Sequence, residues 1–308
     1  MRTLTLIRSG IASTIQDSGR AGHQRNGIPP SGAMDNYALR AGQYSFGHCD
    51  NEAALEFAYG DLAFITSHNC RFIVTGAPTV VTIGNTERDS GRIEETAENQ
   101  VVTIKPRGQG IYSYLHVEGG FDTPLQLGSR STSPRERIGG VEGRYLREGD
   151  TLPLGSGTSS RINPCPTPIT VQDRDRLSLR FVPGFQFDAL SPAAKQALDN
   201  GTFSVTPRAN RMGIALEGDP VNTGVLSLLS EATCYGAIQI PPDGKPIILL
   251  NDRQTVGGYP KAGAVIAADC RRLVQSRPGQ RVQLVPITPQ EADRITWLEH
   301  HYIETKLS

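Results

Sequence analysis

Most of the signatures that mark an enzyme on sight are missing from this sequence. Its 308 residues contain no G-x-x-x-x-G-K-[ST] nucleotide loop, no G-x-S-x-G elbow for a nucleophilic serine and no H-E-x-x-H zinc motif. The five cysteines (Cys49, Cys70, Cys165, Cys234, Cys270) are odd in number and include no C-x-x-C. That argues against a disulfide framework and for free, mostly buried thiols in a reducing compartment. The six histidines are scattered, and His300 and His301 are adjacent rather than one helical turn apart, so no metal ligand set is expected. An excess of one charge is lacking too. Lys plus Arg equals Asp plus Glu at 31 each, which argues against nucleic acid or an anionic membrane as the main partner. No apolar run approaches the roughly 20 residues of a membrane span, and Met1-Arg2-Thr3-Leu4 leads into a strand-like segment without a signal-peptide core. A soluble, cytoplasmic protein is expected.

What is present is turn chemistry and short strands. With 33 glycines, 21 prolines and few helical patterns, the chain reads as mainly β with a few short helices. Strand-like runs include Leu4–Ser9, Cys70–Thr75, Thr79–Ile83, Gln100–Ile104, Ser113–Glu118, Leu177–Val182, Gly236–Ile240, Ile247–Leu250 and Val282–Pro286. Their spacing favours barrels or sandwiches over alternating strand–helix winding. Helices are expected at Asp35–Tyr44 with Asp35 as N-cap, and at Pro192–Asn200 between Ser191 and Gly201. A third runs from Pro289 to about Ile303, with Thr288 as N-cap and Glu291 at the third helical position. The length suggests two domains of roughly 150 residues. The stretch Gly155–Pro168, dense in Gly, Ser, Thr and Pro, is the best linker, giving domains 1–160 and 161–308.

Three polar clusters carry the candidate chemistry. In Ile247–Lys261 (IILLNDRQTVGGYPK), a buried apolar strand runs into Asn251, Asp252, Arg253, Gln254 and Thr255, and then Gly257-Gly258-Tyr259-Pro260. A polar cluster at the rim of a core has no use in packing alone, and the glycine pair lets backbone approach a neighbour closely. In Ile15–Arg20, Arg20 either pairs Asp17 within a turn or presents a planar fork to a carboxylate or phosphate. Arg211, in Asn210–Gly213, is either a surface charge beside a turn or a second such fork. The glycine- and hydroxyl-rich loops Gly128–Thr132 and Gly139–Arg144 are either mobile loops or cradles that hold an anion through backbone N–H groups.

Four motifs taken in order, IQDSGR…GIPPSGAMD (15–35), GSRST…GGVEGR (128–144), NRMGIALEG (210–218) and GAIQIPPDGKPIILLNDRQTVGGYPK (236–261), resemble the allophanate hydrolase subunit 2-like, or biotin-dependent carboxyltransferase, family. Within it the chain is most similar to the standalone KipA type, the C subunits of 5-oxoprolinases, in register from about residue 4 to about residue 295. The resemblance implies two cyclophilin-like β-barrel subdomains. It also implies a place in an ATP-dependent complex that opens 5-oxoproline to glutamate. The implied partners are a KipI-like protein (the B subunit), joined to this chain as a B2C2 heterotetramer, and a LamB/YcsF-like protein (the A subunit). ATP would then lie at a site shared with or supplied by those partners. No lysine stands in an A-M-K-M-like setting, so no biotin attachment site is expected. In that frame Asp252, Lys261 and Asp17 are the catalytic candidates. Arg20, Arg211, Gln239, Asn251, Gln254, Thr255 and Tyr259 are the substrate-binding candidates, with Gly257 and Gly258 supplying backbone. Two other readings compete: a carboxyltransferase component acting with carboxybiotin on urea or a related amide, and a regulatory protein that sequesters a KipI-like kinase inhibitor. The chain departs from the family pattern at Ala54–Asp61 and Ser133–Arg137, which bears on substrate preference or a partner surface.

Overall fold

A computed structural model describes residues 1–47, 52–157, 162–166, 175–224 and 228–306. Cys49 and residues 158–161, 167 and 168 of the linker stretch Gly155–Pro168 lie outside the described residues. The protein is mainly β, as its composition suggests, and divides into two compact units. One comprises Met1–Ala21, Pro30–Ile169 and Lys306–Ser308; the other comprises Gly22–Pro29 and Thr170–Thr305.

In the first unit a six-stranded sheet and a five-stranded sheet face one core. The six-stranded sheet is ordered Thr151–Pro153, Thr3–Ser9, Leu62–Thr66, Val102–Pro106, Thr79–Ile83, Thr86–Asp89. The five-stranded sheet is ordered Thr14–Gln16, Ala54–Phe57, Ser113–Val117, Cys70–Gly76, Ile93–Thr96. Alternation along Thr3–Ser9 sends Leu4 and Leu6 inward beside Phe64, Phe72, Leu115 and Val102, all essentially dry. Phe64 and Phe72 meet edge-on at 5.4 Å, one from each sheet. The helix Asn36–Ser45 is capped as expected, with the Asp35 carboxylate accepting from Ala38 N at 3.1 Å. It packs so closely that a Cβ on Gly42 would stand 2.1 Å from the His116 ring.

The loop that closes this unit is held by charge. Arg144 forks onto Asp150 through Nη1 and Nη2 at 2.8 and 2.9 Å, and Arg147 N donates to the same carboxylate. The Arg144 bond, more than any other contact, holds the Asp150 carboxyl below its ordinary 3.8. A depressed carboxyl adds stability that is present above its unfolded pKa and is lost as pH falls through the folded value. Asp150→Asn is therefore expected to flatten the acid limb of the stability–pH curve below about pH 4. Urea melts of both proteins across that range measure it, and parallel acid limbs would refute the assignment.

The second unit is a closed seven-stranded barrel ordered Arg176–Pro183, Lys261–Val265, Ala237–Gln239, Ile247–Leu249, Gly213–Glu217, Phe203–Asn210, Arg281–Pro286. All its pairings are antiparallel except the closing one, where Arg176–Phe181 runs parallel to Arg281–Pro286. The apolar run Ile247–Leu250 predicts a buried strand, and Ile247–Leu249 is indeed a barrel stave, hydrogen-bonded on both edges. That position explains its uniform apolarity: Ile248, Leu249 and Leu250 are all buried. The helix Pro192–Asn200 forms as read, with Ser191 accepting from Ala194 N. The helix Pro289–Lys306 opens with the reciprocal Thr288–Glu291 capping box. None of the helices of the described residues is long and apolar enough to cross a membrane.

Candidate functional site

Asp17 and Arg20 lie in the first unit, and the other candidates lie in the second. Asp17 follows directly from the strand Thr14–Gln16 and is fully buried. Its Oδ1 accepts from Gly19 N at 2.8 Å, Ser129 Oγ at 2.6 Å and Ser131 Oγ at 2.5 Å, while Oδ2 accepts from Arg130 N at 2.6 Å. Arg20 is buried against the same loop, its Nη2 donating to the Ser131 carbonyl. Gly139 is the glycine this close approach requires: it sits at φ +75°, and a Cβ there would stand 2.0 Å from Ser131 O and 2.9 Å from Arg20 Nη2. Asp17 and Arg20 are thus brought together through Ser131, each bonded to the loop.

The two glycine-rich loops are neither loose nor open cradles. The N–H groups of Ser129, Arg130, Ser131, Thr132, Gly139, Gly140 and Gly143 all donate within the protein. These donors are unavailable to a phosphate, so the anion-cradle alternative is not met at these positions.

In the second unit the polar residues after Ile247–Leu249 sort into three contacts. Arg211 and Asp252, both buried, form a forked ion pair with Nε–Oδ2 at 2.8 Å and Nη2–Oδ1 at 3.1 Å. The backbone repeats the link, Asp252 N donating to Arg211 O at 2.9 Å. Of the two alternatives for Arg211, the surface charge is excluded. Next, Gln254 Nε2 donates to Gln239 Oε1 at 3.0 Å, and Thr255 O accepts from Thr233 N. Gln239 is 1% exposed, and its own Nε2 is buried with no partner.

The third contact centres on Lys261, which lies opposite Gln239 across paired strands. Its Nζ donates to Glu231 Oε1 at 2.8 Å and to Gly257 O at 3.3 Å. Gln186 clamps the same place, Nε2 to Glu231 Oε1 at 2.6 Å and Oε1 accepting from Lys261 N at 2.7 Å. Gly257 is glycine for space: a Cβ would stand 2.5 Å from Gln239 Nε2. Gly258 is likewise pressed on Leu228 O, 2.7 Å from where its Cβ would be. Lys261 and the buried Gln239 amide therefore meet at one glycine, and one ammonium N–H is left over after its two protein bonds. Such a donor set suits a carbonyl oxygen or oxyanion. Asn251 is half-buried beside Asp252, and Tyr259 is exposed at the rim.

Sequence patterns pass over Gln186, Glu231, Thr233 and Arg253. Gln186 and Glu231 stand outside every motif, on a short helix and a two-residue strand, so pattern offers no signal for them. Arg253 is in plain view within the polar run. Among the described residues, no group of three or more His, Cys, Asp or Glu is placed to hold a metal ion. Of the described cysteines, Cys70 and Cys270 are buried, Cys165 is half-buried and Cys234 is exposed, all as free thiols. Burial pushes the Cys70 thiol up to about 11, which suits an inert core position.

Comparison with known proteins agrees with this architecture. Residues 26–286 match the family described as carboxyltransferase domain, subdomain A and B. The chain is 33% identical over 306 residues to the C subunit of the 5-oxoprolinase of Escherichia coli (strain K12), covering 98% of this chain and 96% of that protein. Identity is again 33%, over 293 residues, to the C subunit of the 5-oxoprolinase of Haemophilus influenzae, covering 95% and 94%. Among solved structures, the urea amidolyase of K. lactis superposes with a TM-score of 0.90 at 24% identity. That match takes in 99% of this chain and 20% of the other, and at such identity it speaks for the fold alone. The chain belongs to the carboxyltransferase-domain family of subdomains A and B.

Proposed function

We propose that this protein is the C subunit of an ATP-dependent 5-oxoprolinase, which opens the lactam of 5-oxoproline to glutamate together with its partners. The near-full-length identity to two proteins of that name supports the reading. At the site, the observation that carries it is that Lys261 Nζ and the unpartnered Gln239 Nε2 both lie against Gly257. A five-membered lactam is a poor electrophile. Attack of water on its carbonyl carbon places negative charge on the exocyclic carbonyl oxygen before the C–N bond breaks and the ring nitrogen leaves as the amine. Lys261 and Gln239 Nε2 would hold that oxygen as charge develops, which is worth most in a site largely shielded from water. The Lys261 side chain is 12% exposed.

Asp252, paired on Arg211, would fix the turn that carries Gln254 and Thr255, and Asp17 with Arg20 would fix the serine loop. The N–H groups of Ser129–Thr132, Gly139, Gly140 and Gly143 already donate within the protein, which speaks against a phosphate cradle at those positions. In this reading ATP lies at a site shared with or supplied by the two partners of the complex, one KipI-like and one LamB/YcsF-like.

Reconstitution with both of those partners, followed by ATP-dependent glutamate release, tests the reading. Lys261→Met is expected to lower turnover by roughly 100-fold or more, as loss of an oxyanion donor does elsewhere. Glu231→Gln, which frees the ammonium without removing it, should cost less. Undiminished turnover in Lys261→Met would remove Lys261 from the chemistry. No glutamate from the complete wild-type set, with tight binding of a kinase inhibitor, would replace the enzyme reading by the regulatory one; a biotinylated partner and urea-dependent turnover would favour the carboxyltransferase.

A further inference from the structure

Among its described residues the second unit buries two arginines, Arg211 and Arg253, and they are treated differently. Arg211 is forked on a carboxylate. Arg253 is 6% exposed and donates one hydrogen bond, from Nη1 to Leu250 O at 3.1 Å. Its Nε is buried with no partner. The titratable groups that act on it are Cys234, Tyr235 and Cys270, two thiols and a phenol, with no carboxylate among them. Cys270 is wholly buried, which pushes its thiol far up and keeps it protonated at neutral pH. Elsewhere in this unit the partly buried arginines each have an acid: Arg180 and Arg272 share Asp269, and Arg271 takes Glu299.

A guanidinium keeps its proton in any protein environment, so Arg253 is a fixed positive charge largely shielded from water, with no carboxylate partner among the described residues. Such an arrangement is strongly unfavourable for the protein alone. An anion bound from solution removes the penalty, and Nε with the Nη groups forms the planar fork that matches the two oxygens of a carboxylate or phosphate. Access is confined to the 6% of Arg253 that reaches the surface. The neighbours Leu250 and Cys270 are fully buried, which limits the occupant to a small group.

We propose that Arg253 is the cationic floor of a binding site for a small oxyanion, a carboxylate or a phosphate group. The site stands on the missing carboxylate partner among the described residues and not on the reaction proposed above. Both the acid group of a small substrate and a free phosphate have the required chemistry, and separate titrations distinguish them.

The full chain, exchanged into a buffer free of small oxyanions, is melted against increasing inorganic phosphate, acetate, 5-oxoproline or chloride. Arg253→Met, which keeps the bulk and drops the charge, is melted beside it. The expected result is a saturable rise in the wild-type midpoint with phosphate or with the carboxylates, beyond that with chloride. In Arg253→Met the apparent affinity should fall roughly 30-fold or more, the usual consequence of removing one partner of a buried charge pair. A rise with phosphate alone assigns a phosphate site, and a rise with acetate and 5-oxoproline alone assigns a carboxylate site. Wild-type midpoints that follow only ionic strength, or equal shifts in both proteins, overturn the proposal. Should Arg253→Met fail to fold, wild-type spectra labelled with nitrogen-15 at arginine decide the matter. A buried Nε–H resonance that moves with the same anions supports the site, and one that stays fixed overturns it.

Discussion

Asp252→Ala is expected to destabilise the protein by about 3–5 kcal/mol, because it strands the Arg211 guanidinium inside the barrel end without its carboxylate. Both side chains are nearly dry, and the fork is bidentate at 2.8 and 3.1 Å. Relief of burial in the unfolded state makes truncating one partner far worse than replacing both. The double change Arg211→Met with Asp252→Leu is therefore expected to recover most of the loss, since apolar groups of similar volume often replace a buried pair at little cost. Urea denaturation of the two single variants and the double variant gives the coupling directly. Activity of the reconstituted complex then separates two roles. If the stable double variant turns over normally, Asp252 is a brace for the turn and nothing more. If the double variant is as stable as wild type yet inactive, the Arg211–Asp252 pair contributes to binding or chemistry beyond bracing the turn. Equal, additive losses with no recovery would show that the pair does not act as a unit.

How far this architecture is legible in the sequence depends on what each element buries. Strands with one or both faces in a core, such as Thr79–Ile83 and Ile247–Leu249, carry apolar runs and are visible. The edge strand Thr86–Asp89 is exposed at every residue and reads as a polar turn, since its stability comes from pairing with Thr79–Ile83. The helix Ala267–Val274 escapes notice for a different reason. Its N-cap, Ile266, has no side-chain oxygen to offer, and the acid in its first turn, Asp269, faces inward. Asp269 can be dry because Arg180 forks on it from the strand Arg176–Pro183, at 2.8 and 2.7 Å. That compensation is tertiary and leaves no local trace. The same distinction holds at the candidate site. Gly257 and Gln239 belong to recognisable motifs, but their mutual contact joins a barrel strand to the separate two-stranded pairing of Gly257 with Glu231, which no local pattern encodes. Glu231 and Gln186, which hold Lys261, come from segments with no pattern of their own.

Asp17→Ala is expected to be the most damaging substitution in the first unit, costing about 4 kcal/mol or more. Four donors converge on this one carboxylate: the hydroxyls of Ser129 and Ser131 and the backbone N–H groups of Gly19 and Arg130. Each buried donor left without an acceptor costs about 1–3 kcal/mol, and rearrangement of the serine hydroxyls recovers only part of the sum. The damage should be local first. Two further bonds, Thr132 N to Ile15 O and Gln16 Nε2 to Thr132 O, tie the end of the loop to the strand and remain in place. Amide exchange is therefore expected to accelerate most at Gly19, Arg130 and Ser131, and less at Thr132. Asp17→Asn keeps Oδ1 for three donors but turns an amide N–H toward that of Arg130, so it should cost less than alanine and more than a surface change. This graded series distinguishes positioning from catalysis. A brace predicts that activity falls in step with loop protection through the asparagine and alanine variants. A general base predicts that Asp17→Asn abolishes turnover while loop exchange and the urea midpoint stay close to wild type. The carboxylate's complete burial and its four short bonds favour the first outcome, because no lone pair faces a route by which a substrate proton could arrive.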